Sequence, residues 1–301
     1  MIIDTDPGID DAMAIFWAHA CPDIELIGLT SIFGNVYVEQ ATRNALALVE
    51  ILGADIPVSA GVSTPLAMPQ LEPSHFVHGG EGFGDMPAPS PVRAADPRGA
   101  VDFMADACAA DPGAVTIMAI GPLTNLARVL IDRPDIVGNV GRVVIMGGSV
   151  RAGGNATKYA EANIWHDPHA AAAVFAADWP IEMIGLDVTN QIYCDGDDFT
   201  AIAAKSPACG QFLDRIGQFY LKFYEERTGD RRCRLHDPAA VIAAVRPDLF
   251  TWEEAPLTAR IEGERKGETV VAETGRPVRW AAEAEGAAVS RLWIEGVSAL
   301  H

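Results

Sequence analysis

Basic residues are scarce in this chain, and before position 100 only Arg43, Arg93 and Arg98 carry positive charge. Against 22 Lys and Arg stand 41 Asp and Glu, a formal net charge of −19. A surface that binds DNA or RNA must be basic enough to replace phosphate counterions, so this balance argues against nucleic acid and against anionic membranes. Long apolar runs are missing too. Pro112–Ala127, as long as any uncharged stretch in the chain, is interrupted by Gly113, Gly121 and Pro122 and does not read as a membrane span. Cysteine is sparse. Cys21, Cys108, Cys194, Cys209 and Cys233 are odd in number and widely spaced, with no C-x-x-C. That pattern reads as reduced thiols in a cytoplasmic protein rather than a disulfide frame or a zinc site. The N-terminus shows no basic n-region and no apolar h-region, so no signal peptide is expected. Linkers and internal repeats are absent as well. With 301 residues, 49% of them hydrophobic, the expectation is a single domain over 1–301 around a large core.

What is present is an alternation of short β-branched runs with Ala-rich helical ones. Met1–Asp4, Glu25–Ser31, Ile56–Ala60, Val115–Ile120, Arg142–Gly147 and Ile181–Asp187 read as strands. Asp11–Ala20, Val38–Leu52, Ala100–Ala109, Leu123–Ile131, Pro168–Ala176, Cys209–Arg227 and Pro238–Val245 read as helices. This order predicts an α/β, Rossmann-like fold with a mostly parallel central sheet flanked by helices. The active site is then expected at the carboxyl ends of the strands. The Pro- and Gly-rich stretch Pro57–Pro97 breaks the alternation and reads as a long loop near the site, its segment 61–97 a candidate lid. Pro256–Gly286 reads as β-hairpins. Asp187 ends a predicted strand at the same sheet edge, without an assigned role.

The densest chemistry follows the first strand. Asp4, Asp6, Asp10 and Asp11 fall within eight residues, across a Pro7-Gly8 turn that leads into a helix. Asp4 and Asp6 share a strand face by the period of two, and Asp10 and Asp11 sit at a helix N-terminus. A single Asp there would be an ordinary cap. Several carboxylates so close together repel, and the helix dipole offers only about 0.3–1 kcal/mol per exposed charge. A hard cation with oxygen ligands, Ca²⁺ or Mg²⁺, relieves the conflict.

The run Asp4-Thr5-Asp6-Pro7-Gly8-Ile9-Asp10-Asp11-Ala12 resembles the N-terminal signature of the inosine–uridine-preferring nucleoside hydrolases. Further blocks extend the resemblance over nearly the whole chain: Gly34-Asn35, His78-Gly79, Ile120-Gly121-Pro122-Leu123-Thr124-Asn125, Met146-Gly147-Gly148 with Asn155 and Glu161-Ala162-Asn163, and His236-Asp237-Pro238. The resemblance implies Ca²⁺-dependent hydrolysis of the N-glycosidic bond of ribonucleosides to free base and ribose. It further implies a role in purine or pyrimidine salvage and a homodimer or homotetramer. By resemblance, Asp6, Asp11, the Ile120 carbonyl and Asp237 hold the ion, and Asp6 is the general base toward water. Asp10, Asn35, Met146, Asn155, Glu161 and Asn163 bind ribose, His78 and Tyr224 lie near the base, and His236 protonates the leaving base. A free histidine titrates near 6.5, which suits that task.

Local patterns leave several points open. His-Asp-Pro occurs twice, at His166-Asp167-Pro168 and His236-Asp237-Pro238, and in each copy Asp reads as a helix cap with Pro in first position. Only the resemblance selects the second copy. Tyr220 and Tyr224 share one helix face, which core packing alone would explain. Ala162 stands where an aromatic can occur in the family, and Ile120 where Thr can. The preferred nucleobase is not readable. Two rival readings exist. Asp4-Thr5-Asp6 resembles a haloacid-dehalogenase-type phosphatase strand, but Gly8 replaces the expected Thr or Val and the later blocks go unexplained. A nucleoside-binding protein without turnover is the other, and ribose release separates it from the hydrolase.

Overall fold

The structure, a computed structural model, describes residues 1–87 and 90–300. Its strands are β1 (Ile2–Thr5), β2 (Gly28–Ser31), β3 (Val58–Ser59), β4 (Thr116–Ala119), β5 (Arg142–Met146), β6 (Ile181–Ile184), β7 (Tyr193–Asp195), β8 (Arg232–Arg234), β9 (Phe250–Ala259), β10 (Thr269–Val271) and β11 (Pro277–Ala284). Its helices are α1 (Ile9–Ala20), α2 (Val38–Ile51), α3 (His75–His78), α4 (Ala100–Ala110), α5 (Thr124–Asp132), α6 (Ala162–His166), α7 (Pro168–Phe175), α8 (Leu186–Thr189), α9 (Gly196–Lys205), α10 (Cys209–Thr228), α11 (His236–Val245) and α12 (Gly286–Ser298).

A nine-stranded sheet runs in the order β10-β9-β11-β6-β5-β4-β1-β2-β3. From β3 to β11 every neighbouring pair is parallel, and β9 and β10 close one edge antiparallel. The strands are apolar on both faces because both faces are covered. In β5, Val143 and Ile145 enter the core packed by α4, α5 and α7, whereas Val144 and Met146 enter the core packed by α1, α10, α11 and α12. Each such residue, fully buried, stabilises the fold by about 1.5–3 kcal/mol. The chain leaves β1 toward β2 on one side and β4 lies on the other, so the strand order reverses at β1. The crevice outside the carboxyl ends of β1 and β4 is where this fold places a ligand.

The α/β, mostly parallel expectation holds, and two local readings, for Asp187 and for Pro57–Pro97, are corrected. β6 stops at Ile184: Gly185 turns the chain, and Asp187 sits in the short helix α8 rather than ending a strand. There Asp187 accepts the N–H groups of Val150, Arg151 and Ala152 at 2.7–3.0 Å and so pins the loop after β5. The expected hairpins of Pro256–Gly286 are present, β9 pairing antiparallel with β10 around the 260–268 turn and with β11 on its other side. β9 starts at Phe250, and β11 joins β6 in parallel, extending the main sheet. The stretch Pro57–Pro97 contains β3 and α3, and of the 61–97 segment positions 88 and 89 lie outside the described residues. Among the described residues no helix is long and apolar enough to cross a membrane.

Candidate active site

Asp6 is the first residue past β1, and Pro7-Gly8 turns the chain into α1, whose first turn carries Asp10 and Asp11. Gly8 is required by close approach, since a side chain there would collide with the His78 ring. Asp11 is held by Thr5 Oγ1 at 2.5 Å, Gly8 N at 2.9 Å and Asn35 Nδ2 at 3.1 Å. Asp6 Oδ2 accepts the Asn35 N–H at 2.6 Å, while its Oδ1 is buried without a partner. Asp10 Oδ2 accepts the Tyr220 hydroxyl at 3.3 Å, and its Oδ1 is likewise buried and unpartnered. Asp4 takes two side-chain donors on one oxygen, Thr30 Oγ1 and Asn125 Nδ2 both donating to its Oδ1 at 2.7 Å, while its Oδ2 is likewise buried and unpartnered.

Asp237, from the first turn of α11, completes the cluster. Asp10, Asp11 and Asp237 present oxygens that all lie within 4.8 Å of one another. The tightest trio therefore contains Asp10, with Asp6 beside it, where the sequence reading named Asp6, Asp11, Ile120 and Asp237. Burial pushes Asp10 and Asp11 up to about 6 and lifts Asp6 and Asp237 well above the usual carboxylate range. After burial, the charges of Asp10, Asp11, Asp6 and Glu161 raise Asp237 further. At such spacing two full charges repel by about 3–4 kcal/mol in an effective dielectric of about 20. A helix N-terminus returns only about 0.3–2 kcal/mol. A hard divalent cation meets the deficit, and the all-oxygen donor set fits Ca²⁺ or Mg²⁺ rather than Zn²⁺. The unpartnered Oδ1 atoms of Asp6 and Asp10 are free lone pairs for it. The Ile120 carbonyl, just past β4, accepts Asn163 Nδ2 at 3.0 Å and retains a second lone pair.

The ribose block lies beside this floor. Glu161 caps α6, with Oε1 accepting Asn163 N at 2.9 Å and Oε2 accepting Ile164 N at 3.1 Å and Gly148 N at 2.9 Å. Asn163 Nδ2 ties the Ile120 carbonyl to that of Met146, 3.1 Å away, locking the ends of β4 and β5 together. Asn155 Oδ1 accepts the Ala162 N–H at 2.9 Å, so the Ala162 position is held through its backbone.

At the other end, His236 bridges Thr189 Oγ1 (Nδ1, 2.7 Å) and the Tyr224 hydroxyl (Nε2, 3.0 Å). Burial, with the Arg234 and His78 charges adding to it, pushes His236 down to about 3, so the imidazole here is neutral rather than titrating near 6.5. His78 is buried and pushed down to about 4 by that burial. Its Nδ1 accepts the Ile9 N–H at 3.2 Å, which leaves the ring proton on Nε2.

These parts line one cleft of about 280 Å³, to which Asp10, Asn35, His78, Ile120, Met146, Asn155, Glu161, Asn163, Tyr224, His236 and Asp237 all contribute. Asp6 and Asp11 do not line it. Sequence reasoning missed Phe76, Asn190, Phe223, Arg227 and Arg234, and it left Tyr220 as core; all line the cleft. For Phe223 a signal existed, because Tyr220, Phe223 and Tyr224 form one aromatic stripe on α10, with Tyr220 and Phe223 stacked at 6.2 Å. All five cysteines are free thiols, and Cys194 and Cys233 face each other across β7 and β8 with sulfurs 3.2 Å apart.

A family model described as inosine-uridine preferring nucleoside hydrolase matches residues 1–293. Uridine nucleosidase 1 of Arabidopsis thaliana is 39% identical over 272 residues, covering 90% of this chain and 81% of its own. The non-specific ribonucleoside hydrolase RihC of Salmonella enteritidis is 40% identical over 280 residues, covering 92% and 88%. Among solved structures, a plant nucleoside hydrolase superposes with a TM-score of 0.95 at 36% identity, covering 99% of this chain and 98% of that one. A purine-preferring ribonucleoside hydrolase from Gardnerella vaginalis does so with the same score at 34% identity and the same coverage.

Proposed function

Because the chain belongs to the inosine-uridine preferring nucleoside hydrolase family, we propose that its cleft seats a ribonucleoside with the sugar over the aspartate cluster and the base against His78, Phe223 and Tyr224. The chain is a nucleoside hydrolase; the ion, the residue roles and the setting are the proposal. The observation that carries them is the convergence of Asp10, Asp11 and Asp237, from opposite ends of the chain, within 4.8 Å at a cleft that also holds the amide-rich wall of Asn155, Glu161 and Asn163.

Ca²⁺, held by Asp6, Asp11, the Ile120 carbonyl and Asp237 with Asp10 in reach, supplies Lewis acidity and the positive charge that keeps these carboxylates ionised. Asp6, with its free Oδ1, takes a proton from water as the water oxygen bonds to C1′. Asp10 accepts a ribose hydroxyl, and Asn35, Asn155, Glu161, Asn163 and the Met146 side chain orient the rest of the sugar. As the C1′–N bond breaks, its electron pair passes to the base. The Tyr224 hydroxyl, hydrogen-bonded to Nε2 of the Thr189-anchored His236, gives its proton to the base; solvent reprotonates Tyr224 through His236, and Asp6 releases to solvent the proton it took from water, so the cycle closes without residual charge. Relatives named for uridine and for ribonucleosides without specificity support a substrate range that includes uridine. A nucleoside-salvage role, a cytoplasmic location and a homodimer or homotetramer rest on the family resemblance. The whole of 1–301 is taken as one catalytic domain, supported by a sheet that draws strands from Ile2 to Ala284.

The test is ribose release from inosine, adenosine, guanosine, uridine and cytidine, with Ca²⁺ and after chelation. Release that stops on chelation and returns with Ca²⁺ supports the proposal, and Asp6→Ala should abolish it. Chelation-insensitive release, or Asp6→Ala with near-wild-type kcat, overturns the metal or the base assignment.

A further inference from the structure

Arg234 ends β8, leading directly into Leu235 and His236, and its side chain lines the cleft. Its neighbours in the chain are committed elsewhere. Arg227 donates to the Asn155 carbonyl, Arg231 pairs with Glu225 and Arg232 with Asp230. Arg234 differs: its Nη1 is buried and has no hydrogen-bond partner. The guanidinium lies 4.0 Å from the Tyr193 ring centre and 5.4 Å from that of Tyr224. Aromatic faces fix a guanidinium plane while leaving its N–H edge free, so the half-buried group is held in place at the cleft wall.

A half-buried guanidinium held against aromatic rings beside His236 and Tyr224, with Nη1 lacking any acceptor from the protein, calls for an acceptor from the ligand. Resting on the reading that this cleft hydrolyses ribonucleosides, we propose that Arg234 selects nucleobases carrying an exocyclic oxygen, donating to O4 of uracil or O6 of hypoxanthine and guanine. An exocyclic amino group, as in cytosine or adenine, would meet that edge donor to donor and leave it unpaired. The same contact assists the reaction. The electron pair of the breaking C1′–N bond enters the base and in an oxo base spreads onto the carbonyl oxygen, where the guanidinium stabilises it more than in the intact substrate. Arg234 thus acts on both selection and leaving-group departure, while the sugar contacts stay common to all nucleosides.

The experiment compares kcat/KM for uridine, cytidine, inosine and adenosine in Ca²⁺-saturated wild type, Arg234→Met and Arg234→Lys. Wild type should prefer uridine to cytidine and inosine to adenosine. Arg234→Met should lose about ten- to a hundredfold on uridine and inosine and less than about threefold on cytidine and adenosine. Arg234→Lys should recover part of the loss on the oxo substrates. An equal fall on every substrate, or none on the oxo pair, overturns the proposal. If Arg234→Met does not fold, wild type alone decides. Pyrimidin-2-one ribonucleoside, which lacks O4, should react at least about tenfold more slowly than uridine; equal rates overturn the assignment. Wild type that releases no ribose from any nucleoside refutes the hydrolase reading and this proposal with it. Wild type that hydrolyses all of them with uniform effects of the substitution refutes Arg234 alone.

Discussion

His166-Asp167-Pro168 and His236-Asp237-Pro238 are one tripeptide used twice, and the two copies share almost no physics. Asp167 caps α7 through Ala170 N at 3.0 Å and also accepts Leu66 N and Thr124 Oγ1, each at 2.8 Å. Every donor it needs comes from the protein. Asp237 is not a cap: α11 already begins at His236, and the Asp237 carboxylate faces Asp10 and Asp11 instead. His166 is buried and pushed down to about 4 by that burial, with its Nδ1 unpartnered, whereas both ring nitrogens of His236 are engaged by Thr189 and Tyr224. A carboxylate surrounded by N–H groups holds the fold together. A carboxylate surrounded by other carboxylates makes sense only with a further ligand.

The sharpest way to break this contrast is to remove each aspartate in turn. Asp237→Ala should lower kcat/KM on uridine by on the order of 10³-fold or more while the protein stays folded. Asp167→Ala should leave kcat within about threefold and instead lose roughly 2–4 kcal/mol of stability, because several buried donors lose their acceptor. Steady-state kinetics and denaturant melts on both variants read the split. Comparable activity losses in the two would mean that the first copy is part of the site.

The histidines should divide in the same sense with a smaller effect. His236→Ala is expected to cost about 10²–10³-fold on inosine, in line with the loss of the relay that supports proton donation by Tyr224, but less than about fivefold on a riboside with an activated leaving group. His166→Ala should change neither substrate by more than about threefold, its cost appearing as about 0.5–3 kcal/mol of stability. An equal loss by His236→Ala on both leaving groups would sink its role in proton delivery.

How far the sequence carried these distinctions depends on the range of each interaction. The β1–α1 unit and the parallel sheet were legible because apolar runs and cap signals are local. The aspartate cluster was legible as a metal site for the same reason, since its repulsion is written within a few residues. Which His-Asp-Pro lies at the cleft was not legible from pattern, because Asp237 meets Asp10 and Asp11 only after the chain folds; only the family resemblance had pointed to the second copy. β7 and β8 were missed because each has three residues, and their partners Cys194 and Cys233 lie 39 positions apart. Arg234 was passed over for a related reason: a lone arginine near Asp230, Arg231 and Arg232 looks like solvated surface until Tyr193 is brought beneath it. The expectation for His236 near 6.5 failed because burial, invisible in sequence, removes the water that would stabilise its charge.

The smallest effect concerns pH and stability, and it separates the two aspartates without any substrate. In the metal-free fold, Asp10 and Asp11 are raised to about 6 from 3.8, with burial the first cause and mutual repulsion adding for Asp11. A carboxyl whose folded value lies above its unfolded one binds more protons in the native state, so its stabilising contribution is fully present below about pH 4 and is lost as pH rises through about 6. Chelated protein should therefore melt at a lower temperature at pH 7.5 than at pH 5, by about 4 °C for this part of the change. Ca²⁺ should reverse the slope, because the ion binds the ionised carboxylates and competes with their protons. Asp237→Asn removes one repelling charge from the cluster and should flatten the chelated slope and raise the melting temperature at pH 7.5. Asp167→Asn lies outside the cluster and should lower the melting temperature at both pH values while leaving the slope intact. Scanning calorimetry on wild type and both variants, with EDTA and with Ca²⁺, measures this directly. A chelated slope that Asp237→Asn leaves unchanged would show that the cluster is not the source of the pH dependence, and the contrast between the two aspartates would then rest on catalysis alone.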